Sequence, residues 1–267
     1  MRKLNGKSIL LWAIALVITM TAAVYQRKTG PTYPIGEKIN LAGKSITVTL
    51  DRSHAGPGDQ EVIVAIEDRS VTGELHWRRY PTRDEFTAIP MKRKEERLVA
   101  YLPHQPPAGK LEYQIHLRSG DETVIVPAEG TVVTRFRGDV PAFVIIPHIL
   151  FMFLAMAYSN RAGIEALSGR SRLRYYTFVT VLLLFVGGMI LGPIVQKYAF
   201  GAFWTGFPFG HDLTDNKTLV AFLGWVIALL KVRRNPNARV WIVGAALLTL
   251  IVYLIPHSLL GSELKYE

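Results

Sequence analysis

Cysteine is absent from this 267-residue chain. Disulfides therefore neither suggest an oxidising compartment nor argue against one. There is also no phosphate loop, dinucleotide fingerprint, nucleophile elbow or recognisable pair of catalytic carboxylates. The enzyme classes that those motifs mark gain no support. No internal repeat is present, which argues against transporter folds built from duplicated halves. Acidic residues are few, 21 against 31 basic ones, for a net charge of +10. Such a balance often marks nucleic-acid binding, but no basic face interleaved with aromatics appears, so nucleic acid is not expected as a partner.

What is abundant is apolar sequence, 49% of the chain, gathered into blocks. These are Ser8–Tyr25, Pro141–Tyr158, Tyr175–Val195, Thr218–Leu230 and Val240–Leu260. A bilayer core about 30 Å thick needs roughly 20 apolar residues in a helix. Four blocks meet this, and the fourth does so only if its helix begins near Leu213. The basic residues fall between the blocks. Arg2, Lys3 and Lys7 precede the first, Arg161, Arg170, Arg172 and Arg174 follow the second, and Lys231, Arg233, Arg234 and Arg239 follow the fourth. All three clusters share one side if every block spans, and the positive-inside rule makes that side cytoplasmic. Residues 1–26 then form a cytoplasmic N-terminus and anchor helix. Residues 27–140 form a periplasmic domain, and residues 141–267 form a four-helix transmembrane domain with an aromatic outer loop at 196–217. The first block also has the look of a signal peptide, with a basic start, an apolar run and then Thr21, Ala22 and Ala23. The expected location is the bacterial inner membrane, multi-pass, with the C-terminus in the periplasm and the lipid bilayer as a partner.

Between the first two blocks the pattern changes to period two. Ile46, Val48 and Leu50 alternate with polar residues, as do Val62, Val64 and Ile66, then Leu111, Tyr113, Ile115 and Leu117, then Val124 and Val126. Turn signals such as HAGPGD, HQPPAG and RSGD separate them. Six or seven short strands predict an antiparallel β-sandwich. The stretch LPHQPPAGKLEYQIHL resembles an immunoglobulin-like or fibronectin type III corner. That resemblance implies that Tyr113 bonds back to the preceding backbone and that Trp77 is the core tryptophan of an earlier strand. It implies no activity, because such sandwiches serve many functions. His54, His76, His104 and His116 match no ligand spacing and read as strand and turn residues.

Three further histidines converge by topology. His148 in IIPHILFMF lies about 10 Å inside the second span. His257 in LIPHSLL lies near the outer end of the fifth, and His211 lies in the outer loop FWTGFPFGHDLTDNK. Both intramembrane histidines follow Ile-Pro, so a helix kink is expected beside each. Ionisable residues in spans are costly and point to function by default. His148 and His257 are candidate ligands for haem b. Alternatively His148, His211, Asp212, Asp215 and His257 are candidate ligands for a transition metal ion. Asp215 also reads as the N-cap of the fourth span. The aromatics of the outer loop read as an interfacial lid over a polar pocket. Gly187, Gly188 and Gly192 with Pro193 predict close helix approach and a bend, and Arg161 and Glu165 are spaced for a helical pair.

Two functions follow. One is a subunit of a larger complex with a haem or metal pocket at the periplasmic face, in electron transfer or metal handling. The other is a non-catalytic scaffold or assembly protein whose periplasmic sandwich binds a membrane or periplasmic partner.

Overall fold

The computed structural model describes residues 6–169, 172–235, 237–257, 259, 261, 264 and 266. The chain divides into two compact units. One comprises Met1–Pro31 with Val140–Gly261, and the other Thr32–Asp139 with Ser262–Glu267.

The helical unit contains α1 (Gly6–Thr29), α2 (Ala142–Leu167), α3 (Leu173–Leu184), α4 (Gly192–Phe200), α5 (Leu213–Arg234) and α6 (Arg239–Leu254). A π-helical segment, Phe185–Leu191, joins α3 to α4 without a break. Among the described residues, four stretches are long and apolar enough to cross a membrane: α1, α2, Leu173–Phe200 and α5. At 16 residues α6 is a shorter apolar helix. The fifth block therefore does not stay helical to its end. Pro256 has no N–H to give, and Ile255 is already extended. The second block does the reverse and runs on through Asn160, Arg161 and Glu165. Arg161 and Glu165 pair at 2.6 Å while buried to 1% and 2% exposure, so the helix carries both charges inward together.

Small residues set the packing. Ala155, Ala162, Ala166, Ala228, Ala245 and Ala246 lie in the core around Trp225. A Cβ on Gly163 would meet the Ala246 Cβ at 2.8 Å, and one on Gly188 would meet Thr218 Cγ2 at 2.7 Å. The predicted close approach is thus seen, and the glycine-containing stretch Phe185–Leu191 is π-helical. α1 packs on α2 and α6 within this unit. Asn160 Nδ2 donates to the fully buried Thr19 Oγ1 at 3.0 Å, and Gln26 Nε2 donates to Tyr253 O at 2.7 Å. Trp12 stacks edge-on against Tyr158 and Tyr176. The first helix is a member of the bundle rather than a separate tether.

Arginines close the opposite end. Arg174 donates to Val232 O and Arg233 O, and Arg239 to Ala166 O and Gly169 O. Each places a cation at the negative end of α5 or α2.

The β unit has eleven strands in three sheets. β1 (Ile35–Leu41) and β2 (Lys44–Leu50) form a hairpin. β4 (Gln60–Ala65), β8 (Arg97–Leu102) and β7 (Lys92–Lys94) form a second sheet in the order β4-β8-β7. The third has the order β3-β11-β9-β5-β6, with β10 also on β9. Its members are β3 (Ser53–Ala55), β5 (Thr72–Arg79), β6 (Thr87–Pro90), β9 (Lys110–Ser119), β10 (Glu122–Val126) and β11 (Val132–Arg137). All pairings are antiparallel except β3 with β11. One core draws on all three sheets and contains Val48, Leu50, Val62, Val64, Leu75, Leu111, Tyr113, Ile115 and Leu117. The period-two register was therefore legible, although Ile46 and Val124 are only partly buried. Tyr113 Oη donates to Asp51 O at 2.8 Å, in the link between β2 and β3, and not to the turn before β9. Trp77 packs on the edge of the core, opposite Tyr113. The tail returns to this unit: Tyr266 Oη accepts from Lys110 N at 2.9 Å, and Leu264 N donates to Ala108 O at 3.3 Å.

Candidate functional site

The loop between α4 and α5, residues 201–212, is held by the first turn of α5. Asp212, not Asp215, is the N-cap: its Oδ1 accepts from Thr214 N at 2.8 Å. Asp215 lies in the first turn and points back into the loop. Its Oδ2 accepts from Thr205 N at 2.7 Å and Gly206 N at 3.0 Å. Asn216 Oδ1 accepts from Phe207 N at 2.6 Å. Thr205 Oγ1 lies 3.2 Å from Asp212 Oδ2 and 3.4 Å from Asp215 Oδ2, and accepts from Gln196 Nε2 at 2.5 Å. The loop backbone passes so close that a Cβ on Gly206 would meet Asn216 Oδ1 and Asp215 Cβ, both at 2.7 Å. On Gly210 it would collide with the Thr205 carbonyl oxygen. Both glycines are thus fixed by close approach.

The polar side chains of DLTDN therefore hold the loop, and the aromatics are what it displays. Phe203, Phe207 and Phe209 are 58%, 71% and 82% exposed. Trp204 folds inward and donates Nε1–H to Phe207 O at 3.1 Å.

Beneath lies a set of nitrogens. His148 is half-buried in α2 beside Pro147, within the helix, and its Nδ1 meets Gly187 O at 3.0 Å. A carbonyl only accepts, so Nδ1 carries the proton and Nε2 is left as an acceptor. His257 lies just past the end of α6, not on a helix. More than a third of its surface stays accessible. Lys217 was not visible as a site residue in the sequence. It is 5% exposed, and its ammonium donates to Ile255 O at 2.6 Å, tying α5 to the end of α6. A lysine immediately before an apolar run, one turn into its helix, was the available signal. His211 is exposed.

The structure thus places His257 within electrostatic range of His148, Lys217 and Asp212. It sends Asp212 and Asp215 to the loop and His211 to the surface. Among the described residues no group of three or more His, Asp or Glu side chains is arranged to hold a metal ion. The carboxylates expected as metal ligands, Asp212 and Asp215, face backbone N–H groups.

No family model, curated protein or solved structure matches the chain.

Proposed function

We propose that the protein is a non-catalytic assembly or scaffold protein of a bacterial inner membrane, and that its β unit binds a partner in the periplasm. One observation carries this reading. The conspicuous carboxylates of the outer face, Asp212 and Asp215, are consumed in building a loop rather than lining a reaction site. The reading includes five spans. Tyr266 and Leu264, beyond α6, bond to the β unit that follows α1, which favours an even number of crossings between them. α2, Leu173–Phe200, α5 and α6 supply four. The arginine-capped helix ends then face the cytoplasm by the positive-inside rule. The parallel β3–β11 pair and the shared core support an immunoglobulin-like sandwich.

The test is an absorbance spectrum and elemental analysis of the detergent-purified protein, with co-purification of partners. The expected result is a colourless, metal-free protein that retains its partners when His148 and His257 are both alanine. A Soret band, or near-stoichiometric metal lost in that variant, would overturn the reading and restore a haem or metal pocket at His148 and His257.

A further inference from the structure

The β1–β2 hairpin sits beside β4 but belongs to a different sheet, and no backbone hydrogen bond joins β2 to β4 among the described residues. The direction of the unused groups follows from register. The hairpin turn is two residues, Ala42 and Gly43, both at positive φ, between the partners Leu41 and Lys44. In such a hairpin the closing pair is hydrogen-bonded, and so is every second pair after it. Ile39 with Ile46 and Glu37 with Val48 therefore bond inward. Ser45, Thr47 and Thr49 turn their N–H and C=O groups away from β1. On the other side, Ile66 N donates to Glu96 O at 2.8 Å, which continues the β4–β8 register. Val62 and Val64 thus bond to β8, and Glu61, Ile63 and Ala65 turn theirs outward.

Ser45, Thr47 and Ala65 line a groove of about 500 Å³. Its floor is apolar: Leu41, Ile46, Ile66 and Val71. One wall is rigid, because Arg93 donates to Ile66 O, Asp68 O and Val71 O at 2.6–2.9 Å. The hairpin is pinned from its far side, where Glu122 accepts from Ala42 N and Glu37 from Ala128 N. Around the rim stand three carboxylates, Glu67, Asp68 and Glu96, against the two cations Lys44 and Arg97. Lys44 and Arg93 both act on Asp68, which leaves Glu67 and Glu96 against Arg97.

We propose that this groove receives an extended, basic segment of a partner protein, which adds as a strand to the open edge and places an apolar side chain on the floor. Unpaired main-chain groups spaced two residues apart select an extended peptide. The apolar floor selects one large side chain, and the carboxylate excess selects cationic neighbours. The proposal rests on the assembly reading above and names the surface it uses.

The probe is a synthetic decapeptide of alternating valine and lysine, with a valine–glutamate counterpart, added to the full chain in detergent. In the free protein the amides of Ser45, Thr47 and Ala65 exchange with deuterium at least about tenfold faster than those of Ile46 and Val64. The valine–lysine peptide protects them and binds at least about tenfold more tightly than the valine–glutamate one. Glu67→Lys with Glu96→Lys reverses that preference without touching the backbone, and Thr47→Pro removes an outward N–H and weakens binding of either peptide. Protection of these amides in the free protein, or binding indifferent to peptide charge, would overturn the proposal. A photo-crosslinker placed in cells at Thr47, and separately at Gln114 on the outer face of the β9 sheet, separates the two ideas. Adducts at Gln114 alone sink the groove and leave the assembly reading standing. Adducts at neither position sink both. A second copy of the chain trapped at Thr47 makes the groove a self-association site and overturns the partner segment.

Discussion

Asp215 shows how one side chain can carry a loop. It satisfies two backbone donors at once, and both are screened from water by the loop itself. Asp215→Ala leaves both without an acceptor, at a cost of about 1–3 kcal/mol. Lower thermal stability and faster proteolytic cleavage between Gly201 and Gly210 are the expected signs; unchanged cleavage would remove Asp215 from this role. Arg161 poses the opposite problem, a charge held in an apolar environment by one carboxylate and two rings. Its guanidinium carbon lies 4.6 Å from the Tyr176 ring centroid and 5.8 Å from that of Trp12. Glu165→Leu alone strands the cation and is expected to cost about 3–5 kcal/mol, whereas Arg161→Met with Glu165→Leu regains most of it. Unfolding of both variants in detergent checks the difference. In the β unit, His116 and His76 stack with ring centroids 3.9 Å apart. Burial, and then the nearness of His76, lowers the His116 pKa from its ordinary 6.5. The unfolded chain therefore takes that proton first. Stability is full above pH 6.5 and declines as pH falls from there toward the lower folded value. His116→Gln should flatten that part of the stability–pH curve; an unchanged slope would assign it to another group.

At the scale of elements, the π segment and α5 are set by contact rather than by propensity. Gly188 touches Thr218 where any Cβ would intrude, so Gly188→Ala should destabilise the bundle by about 1–3 kcal/mol. Thr218→Ser removes the offending methyl and keeps the hydroxyl that donates to Thr214 O, so it should relieve most of that loss. Additive losses in the double variant would show that the two residues do not meet. Most of the elements were legible. Apolar run length gave the long apolar helices, and period two gave the buried faces of β2, β4 and β9. The ends were less so. A hydropathy run stops at the first charge, but α2 continues through Arg161 because Glu165 neutralises it one turn on. The fifth run reads as apolar through Leu260, but its helix ends at Leu254 because Pro256 supplies no donor.

For the whole molecule, sidedness is the prediction of greatest consequence, and the absence of cysteine makes it simple to measure. In spheroplasts a membrane-impermeant maleimide should label Phe209→Cys and Glu129→Cys, and should label Ser168→Cys only after lysis. The reverse pattern would invert the protein in its membrane and place the β unit in the cytoplasm.

Composition and periodicity alone determined the division into apolar helices and an alternating β segment, because both patterns express one-dimensional repeats of the backbone. Only the tertiary structure decided what the notable polar residues do. Asp212 read as a ligand, and Asp215 as a ligand or a cap, until the loop that they hold was in place, since a carboxylate oxygen takes a backbone N–H as readily as a cation. Lys217 gave little signal ahead of its apolar run until Ile255 O was beside it. The groove at Ser45, Thr47 and Ala65 is defined by strands distant in sequence, whose register leaves backbone groups unused. No local pattern of side chains encodes a hydrogen bond that is not made.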